Sequence, residues 1–375
     1  MMNKNCIVLA AVATLVVAAI VAGCSTGAPN DILGGGLVPE FAYVSNDTSN
    51  DVSAYTITAG TGVLTPVAGS PFAGGTGPRG VAVDPSGKFV YVANSGSDDV
   101  SAYSINAASG ALTPVAGSPF AGGGGPRGVA VDPSGKFLYV ANEGSNDVSA
   151  YTITAGTGAL TPVAGSPFAA GTGPRGVAVD PSGKFVYVTN HTSDDVSAYT
   201  ITAGTGALTP VAGSPFAAED TPFSVAVDPS GKFVYVTNHV SGNVSAYTIT
   251  AGTGALTPVP GSPFAAGNQP QGVAVDPSGK FVYVANHASN DVSAYSINAA
   301  NGALTPVAGS PFAAGSGARG VAVDPSGKFV YTANNNSDDA SAYSYDATSG
   351  ALTPVAGSPF AAGTGPHGVA IARQQ

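Results

Sequence analysis

The sequence predicts an all-β chain closed into a ring of seven four-stranded blades, a β-propeller. Three observations predict it: the composition, a period of 48 residues, and two half-units at the chain ends that complete one another. Gly (52) and Pro (29) together exceed a fifth of the 375 residues, and each interrupts helix interiors, so helical bundles and coiled coils are excluded. Charged residues are only 9% while 44% are hydrophobic, the opposite of the balance that keeps a chain disordered. A net charge of −10 excludes nucleic acid as a partner, because phosphate binding needs a basic face.

In chain order, the first element is a leader over 1–23. Lys4 supplies a basic start, and the apolar run Ile7 to Ala22 ends at Val21-Ala22-Gly23-Cys24. That run is short for a membrane span and has the layout of a secretory signal. Val-Ala-Gly-Cys resembles the bacterial lipobox, which implies lipidation at Cys24; an incidental cysteine after an ordinary signal, or an uncleaved anchor, is the alternative. Residues 24–39 read as a flexible tether. With Cys6 in the leader and Cys24 lipidated, the mature domain has no thiol for a disulfide or a metal.

The ring over 40–375 repeats one unit. Asp-Pro-Ser-Gly-Lys begins at Asp84, Asp132, Asp180, Asp228, Asp276 and Asp324, each 48 residues after the last. The tyrosine of Tyr-Val-x-Asn recurs seven times from Tyr43 to Tyr331, and Leu-Thr-Pro-Val seven times from Leu64 to Leu352. Within one unit, Gly128 to Val131 is the first strand, and Asp132-Pro133-Ser134-Gly135 fits a type I turn. Lys136 to Asn142, rich in β-branched and aromatic residues, is the second strand; Val148 to Ile153 is the third, and Ala159 to Phe168 the fourth. Four strands in such a period mark a propeller blade. Small Gly-Val-Ala-Val suits the crowded channel wall, and Pro162 and Pro167 are tolerable only on the outer edge. The domain opens at Phe41 on a second-strand element and closes on Gly368 to Ile371, a first strand with no successor. The last strand therefore completes the first blade and closes the ring.

Phe-Val-Tyr-Val-Thr-Asn at Phe185 to Asn190 and Phe233 to Asn238, between Asp-Pro-Ser-Gly-Lys and Val-Ser-Ala-Tyr, resembles the YVTN-type propellers. These belong to the lactonase-like seven-bladed group that includes 6-phosphogluconolactonases. The resemblance runs from residue 41 to 373 and rests on strand and turn motifs, so it implies the fold more specifically than an activity.

Candidate functional residues gather on the face opposite the Asp-Pro-Ser-Gly turns. That face carries ten aspartates with Glu143, Glu219 and Asp220 against four arginines, a net of −9, whereas the turn face sums to zero. One position per blade beside the channel reads Arg79, Arg127, Arg175, Phe223, Gln271, Arg319 and His367. Converging guanidiniums hold a carboxylate or phosphate; the competing expectation, here preferred, is that each arginine pairs with a neighbouring aspartate. His191, His239 and His287 sit on successive blades, too far apart for one metal ion, and read as loop residues. His367 is the candidate for proton transfer. Asp51, Asp99, Asp147, Asp195, Asp291 and Asp339, with Asn243 as the seventh, read as Asx-type turn residues rather than calcium ligands. Gly-x-Gly-x-x-Gly at Gly75, Gly123 and Gly171 precedes strands, not helices, which rejects a dinucleotide site.

Two functions follow. The first is an exported, lipid-anchored binding module, expected to be monomeric, with no metal and no cofactor. Its acidic, Arg-ringed face would meet a surface protein, a glycan or a small anion, with Arg79, Arg127, Arg175, Arg319, Gln271 and His367 as ligand-binding residues. The alternative, which the resemblance implies, is hydrolysis of a sugar lactone at the channel mouth, with His367, Arg319 and Glu219 as the catalytic candidates.

Overall fold

In the computed structural model, which describes residues 38–374, seven antiparallel sheets form a closed ring. The blade of Pro126–Ala169 represents them all. Its inner strand Pro126–Val131 pairs with Phe137–Asn142, and that strand pairs in turn with Asp147–Ile153. The predicted fourth strand is two short pieces, Leu160–Pro162 and Phe168–Ala169, which both pair with Asp147–Ile153. Between them Gly165 takes a positive φ of 86° and Ser166-Pro167 is cis. Every blade carries the equivalent cis Ser-Pro bond.

The ring closes as the terminal half-units predict. Pro366–Arg373 lies antiparallel to Glu40–Asn46, with Phe41 opposite Ala372 and Tyr43 opposite Ala370. The backbone N–H of Gln374 donates to the carbonyl of Pro39 at 3.2 Å, and Arg373 lies 3.5 Å from Glu40.

The core is partitioned between blades, not within them. One cluster joins Phe89, Tyr91 and Val100 to Leu138, Val140 and Tyr151 of the next blade, and the same arrangement recurs at each interface around the ring. Two tyrosines per blade fasten these interfaces. Tyr139 donates its hydroxyl to the carbonyl of Gly206 ahead at 3.0 Å, and Tyr151 donates to that of Ala121 behind at 2.6 Å. At Gly206 a Cβ would come 2.3 Å from the Phe137 ring, which is why glycine recurs there. Inner strands also approach closely: a Cβ on Gly128 would lie 2.4 Å from the carbonyl oxygen of Arg175. The predicted need for small residues at the channel is thus a steric requirement.

On the turn face, Asp132 is buried, and its carboxylate accepts from the backbone N–H groups of Ser134, Lys136 and Phe137 and from the Ser134 hydroxyl. The repeated Asp-Pro-Ser-Gly-Lys motif is therefore a self-contained turn. Among the described residues no helix is long and apolar enough to cross a membrane. The leader, Cys24 and the tether up to residue 37 lie outside the described residues.

Candidate functional site

A bulge in each inner strand builds the channel mouth. The ladder between inner and second strands skips from Pro126 to Val129, and likewise from Pro270 to Val273 and from Ala318 to Val321. A bulged residue leaves the ladder and its side chain is re-aimed. Arg127, Gln271 and Arg319 occupy that position, and His367 occupies it in the closing strand, where the register skips from Pro366 to Gly368. Arg79, Arg127, Arg175, Phe223, Arg319 and His367 line one cavity of about 140 Å³. At roughly 30 Å³ per water molecule it holds about five waters, the volume of one small organic molecule.

The ring divides into two sectors. In one, the guanidiniums are paired: Arg79 lies 3.1 Å from Asp47, while Arg127 and Arg175 both bond Glu143, Arg175 Nε donating at 2.7 Å. Pairing was expected with aspartates; for two of the three it is with a glutamate, whose longer side chain reaches between neighbouring blades. Burial would raise the Glu143 carboxyl, but the two guanidiniums outweigh it and hold it below the ordinary carboxylate range. In the other sector, among the described residues, Arg319 makes no ion pair and its Nε is buried without a hydrogen-bond partner. Burial, joined by repulsion from Arg127, lowers Arg79 to about 10, and burial also lowers Arg319.

His367 behaves differently from the sequence expectation. His367 Nε2 is buried and unpartnered, and burial together with four nearby guanidiniums drives its pKa well below the ordinary value, so the imidazole is neutral rather than poised near pH 7. His239 is held down at about 4 by burial first, then by Arg175. It packs against Phe223, ring centroids 5.7 Å apart, and the Arg175 guanidinium lies 4.9 Å over that same Phe223 ring. His191, His239 and His287 lie in loops as expected; in addition His239 packs behind Phe223 of the cavity wall, and His287 feels the charge of Arg319. Among the described residues no group of His, Cys, Asp or Glu is arranged to hold a metal ion.

Gln271 is 3% exposed, with Oε1 unpartnered, and its backbone carbonyl accepts a hydrogen bond from Thr237 at 2.6 Å. Glu219 is exposed and is not brought to the cavity; its charge acts on Tyr247 instead. The aspartates that make the face acidic serve the loops. Asp147 accepts from Asn142 Nδ2 at 2.7 Å, a side-chain bridge between strands instead of the expected Asx turn, and Asn243 accepts likewise from Asn238. Asp98, at φ 56°, accepts from the N–H of Gly125. Sequence reasoning missed the parts played by Glu143 and Phe223. The available signal was the column after each Tyr-Val-x-Asn motif, where Glu143 is the one long acid among Asp47, Ser95, His191, His239, His287 and Asn335.

The family described as lactonase, 7-bladed beta-propeller, matches residues 39–121, 96–265 and 258–366. No curated protein matches the sequence. Among solved structures, a candidate 6-phosphogluconolactonase of Bacteroides fragilis NCTC 9343 superposes with a TM-score of 0.78 at 22% identity, covering 92% of this chain and 99% of that one. The periplasmic gluconolactonase of Pseudomonas aeruginosa superposes with a TM-score of 0.75 at 20% identity, over 89% of this chain and 99% of its own. At these identities the structural likeness establishes the fold alone.

Proposed function

The chain belongs to the lactonase family of seven-bladed β-propellers, and from that premise we propose that it hydrolyses a lactone at the channel mouth. The observation that carries the reading is Arg319, a guanidinium at the cavity that makes no ion pair within 4 Å among the described residues and feels only the longer-range charge of Asp47, beside the neutral His367. Hydrolysis adds water oxygen to the acyl carbon, breaks the ring C–O bond and leaves a hydroxy-carboxylate. Negative charge develops on the carbonyl oxygen, and a preplaced, partly desolvated guanidinium stabilises it. Among the described residues His367 Nε2 has no hydrogen-bond partner, which leaves it to orient the attacking water. The paired sector, with Glu143 neutralising Arg127 and Arg175 in part, fixes the wall against which the ring lies. This reading is preferred to a binding module because many aspartates of the acidic face are committed to loop hydrogen bonds.

Titrimetric turnover of a lactone panel, including glucono-δ-lactone, tests it. Loss of about a hundredfold or more in kcat/KM is expected for Arg319→Leu, the usual effect of removing one oxyanion donor. No acceleration over buffer with any lactone would overturn the reading. Export and anchorage through Cys24 belong to the same proposal, and the check is palmitate labelling that disappears in Cys24→Ala.

A further inference from the structure

The repeated Asp-Pro-Ser-Gly-Lys turn is neutral along the sequence but not at the surface. Its aspartates, Asp84, Asp132, Asp180, Asp228, Asp276 and Asp324, are at most 7% exposed. Each carboxylate is taken up by its own turn, as at Asp276, which accepts from the N–H groups of Ser278, Lys280 and Phe281 and from the Ser278 hydroxyl. Oriented backbone amides offset part of a carboxylate's field. The lysines of the same turns, Lys88, Lys136, Lys184, Lys232, Lys280 and Lys328, are all exposed, and none makes an ion pair among the described residues. In the remaining blade the chain ends meet, and Arg373 stands there, 46% exposed, beside Glu40 at 12%. Among the described residues the one exposed carboxylate on that face is Asp346, in the loop after the third strand of its blade.

The opposite face reverses the sign. Its exposed charges are Asp98, Asp194, Glu219, Asp220 and Asp338, while Arg79, Arg127, Arg175 and Arg319 are partly buried round the channel. Folding thus polarises the ring across its thickness. The chain also enters on the lysine side. Glu40–Asn46 runs from the turn face to the mouth, so Pro39 lies beside Gln374 at the turn end of the ring. Thirteen residues separate Val38 from Cys24, a reach of at most about 50 Å. A lipid on Cys24 would therefore hold the turn face, not the mouth, toward the membrane.

We propose that the turn face is a docking surface for an anionic lipid bilayer, on which the ring lies flat with its mouth turned to solvent. A plane of headgroup phosphates meets every blade alike, because lysine is a compact point charge that needs no matching geometry. The mouth face of a second copy fits less well, since its exposed acids do not recur in every blade. The docking stands on the exposed charge and needs neither the lipid on Cys24 nor turnover at the mouth.

Cosedimentation of the full chain carrying Cys24→Ala with phosphatidylcholine vesicles, with and without phosphatidylglycerol, tests the face. At about fivefold per lysine near the surface, the anionic vesicles should take up at least about tenfold more protein at low salt. That preference should vanish at about 0.5 M salt, where the Debye length is only about 4 Å. Lys88→Gln, Lys136→Gln and Lys328→Gln together should remove at least about tenfold of the uptake. Tm should stay in place, because only the backbone N–H groups of these lysines serve the turns. On the mouth face, Asp98→Asn, Asp194→Asn and Asp338→Asn together should leave uptake unchanged. These sites lie about 20 Å away across a seven-residue strand, beyond a Debye length, and asparagine already fills the equivalent positions at Asn50, Asn146 and Asn290. Equal uptake by neutral and anionic vesicles, an unaffected lysine variant, or stronger uptake of the aspartate variant would each overturn the proposal. So would a lysine dependence seen only as salt-sensitive self-association without vesicles, which would assign the face to a second copy.

Discussion

Glu143→Gln removes the one carboxylate that holds Arg127 and Arg175 together. The three side chains retain only about a fifth of their exposure (18–23%), so the two guanidiniums left behind cannot recover full hydration. Breaking a fully buried ion pair by deleting one partner costs about 3–5 kcal/mol, and scaling for the remaining exposure gives about 2–4 kcal/mol. An unfolding entropy of about 2.1 cal/mol/K per residue sums to about 0.7 kcal/mol/K for a domain of roughly 340 residues. The expected fall in Tm is therefore about 3–6 °C, read from the β-sheet circular dichroism signal on heating. Sulfate should reverse much of it, since an anion at a hundred times its Kd returns about 2.7 kcal/mol. Glu219→Gln, an exposed acid away from the cavity, is the control and should not shift Tm. A Glu143→Gln melt within about 1 °C of the parent, with or without sulfate, would refute the reasoning.

Other outcomes follow from the same structure. Burial and the guanidiniums depress all four histidines, His191, His239, His287 and His367, so the folded state binds fewer protons than the unfolded chain below the ordinary histidine pKa of 6.5. Stability should be full above about pH 6.5 and decline as pH falls toward 4, with His239→Asn flattening the slope; a Tm independent of pH across that window would contradict it. Thr332, alone in its column, donates to Asn334 Oδ1 at 3.2 Å, the atom left unpartnered in the other six blades, so Thr332→Val should cost about 1 kcal/mol in urea unfolding. Ending the chain after Gly365 removes the strand that pairs with Glu40–Asn46, and the product should lack a cooperative melt; a truncated chain that unfolds cooperatively would show that the ring does not depend on its closure.

The sequence by itself determined the ring. Its 48-residue period, the small inner strand, the edge prolines and the complementary half-units at Phe41 and Ile371 are local or additive signals, and each survives translation into space because every blade repeats the same covalent pattern. It also placed Arg79, Arg127, Arg175, Phe223, Gln271, Arg319 and His367 at equivalent positions, since a bulge recurs with the motif that produces it. What the repeat could not express is how unlike residues on different blades meet. Glu143 reaches both Arg127 and its neighbour Arg175, Phe223 is caught between Arg175 and His239, and Glu219 stays outside. Those contacts depend on side-chain length and on the distance across the channel, neither of which has a signature along the chain. The tertiary structure therefore decided which arginine, among the described residues, is left unpaired, because burial and pairing are properties of the closed ring rather than of any one blade.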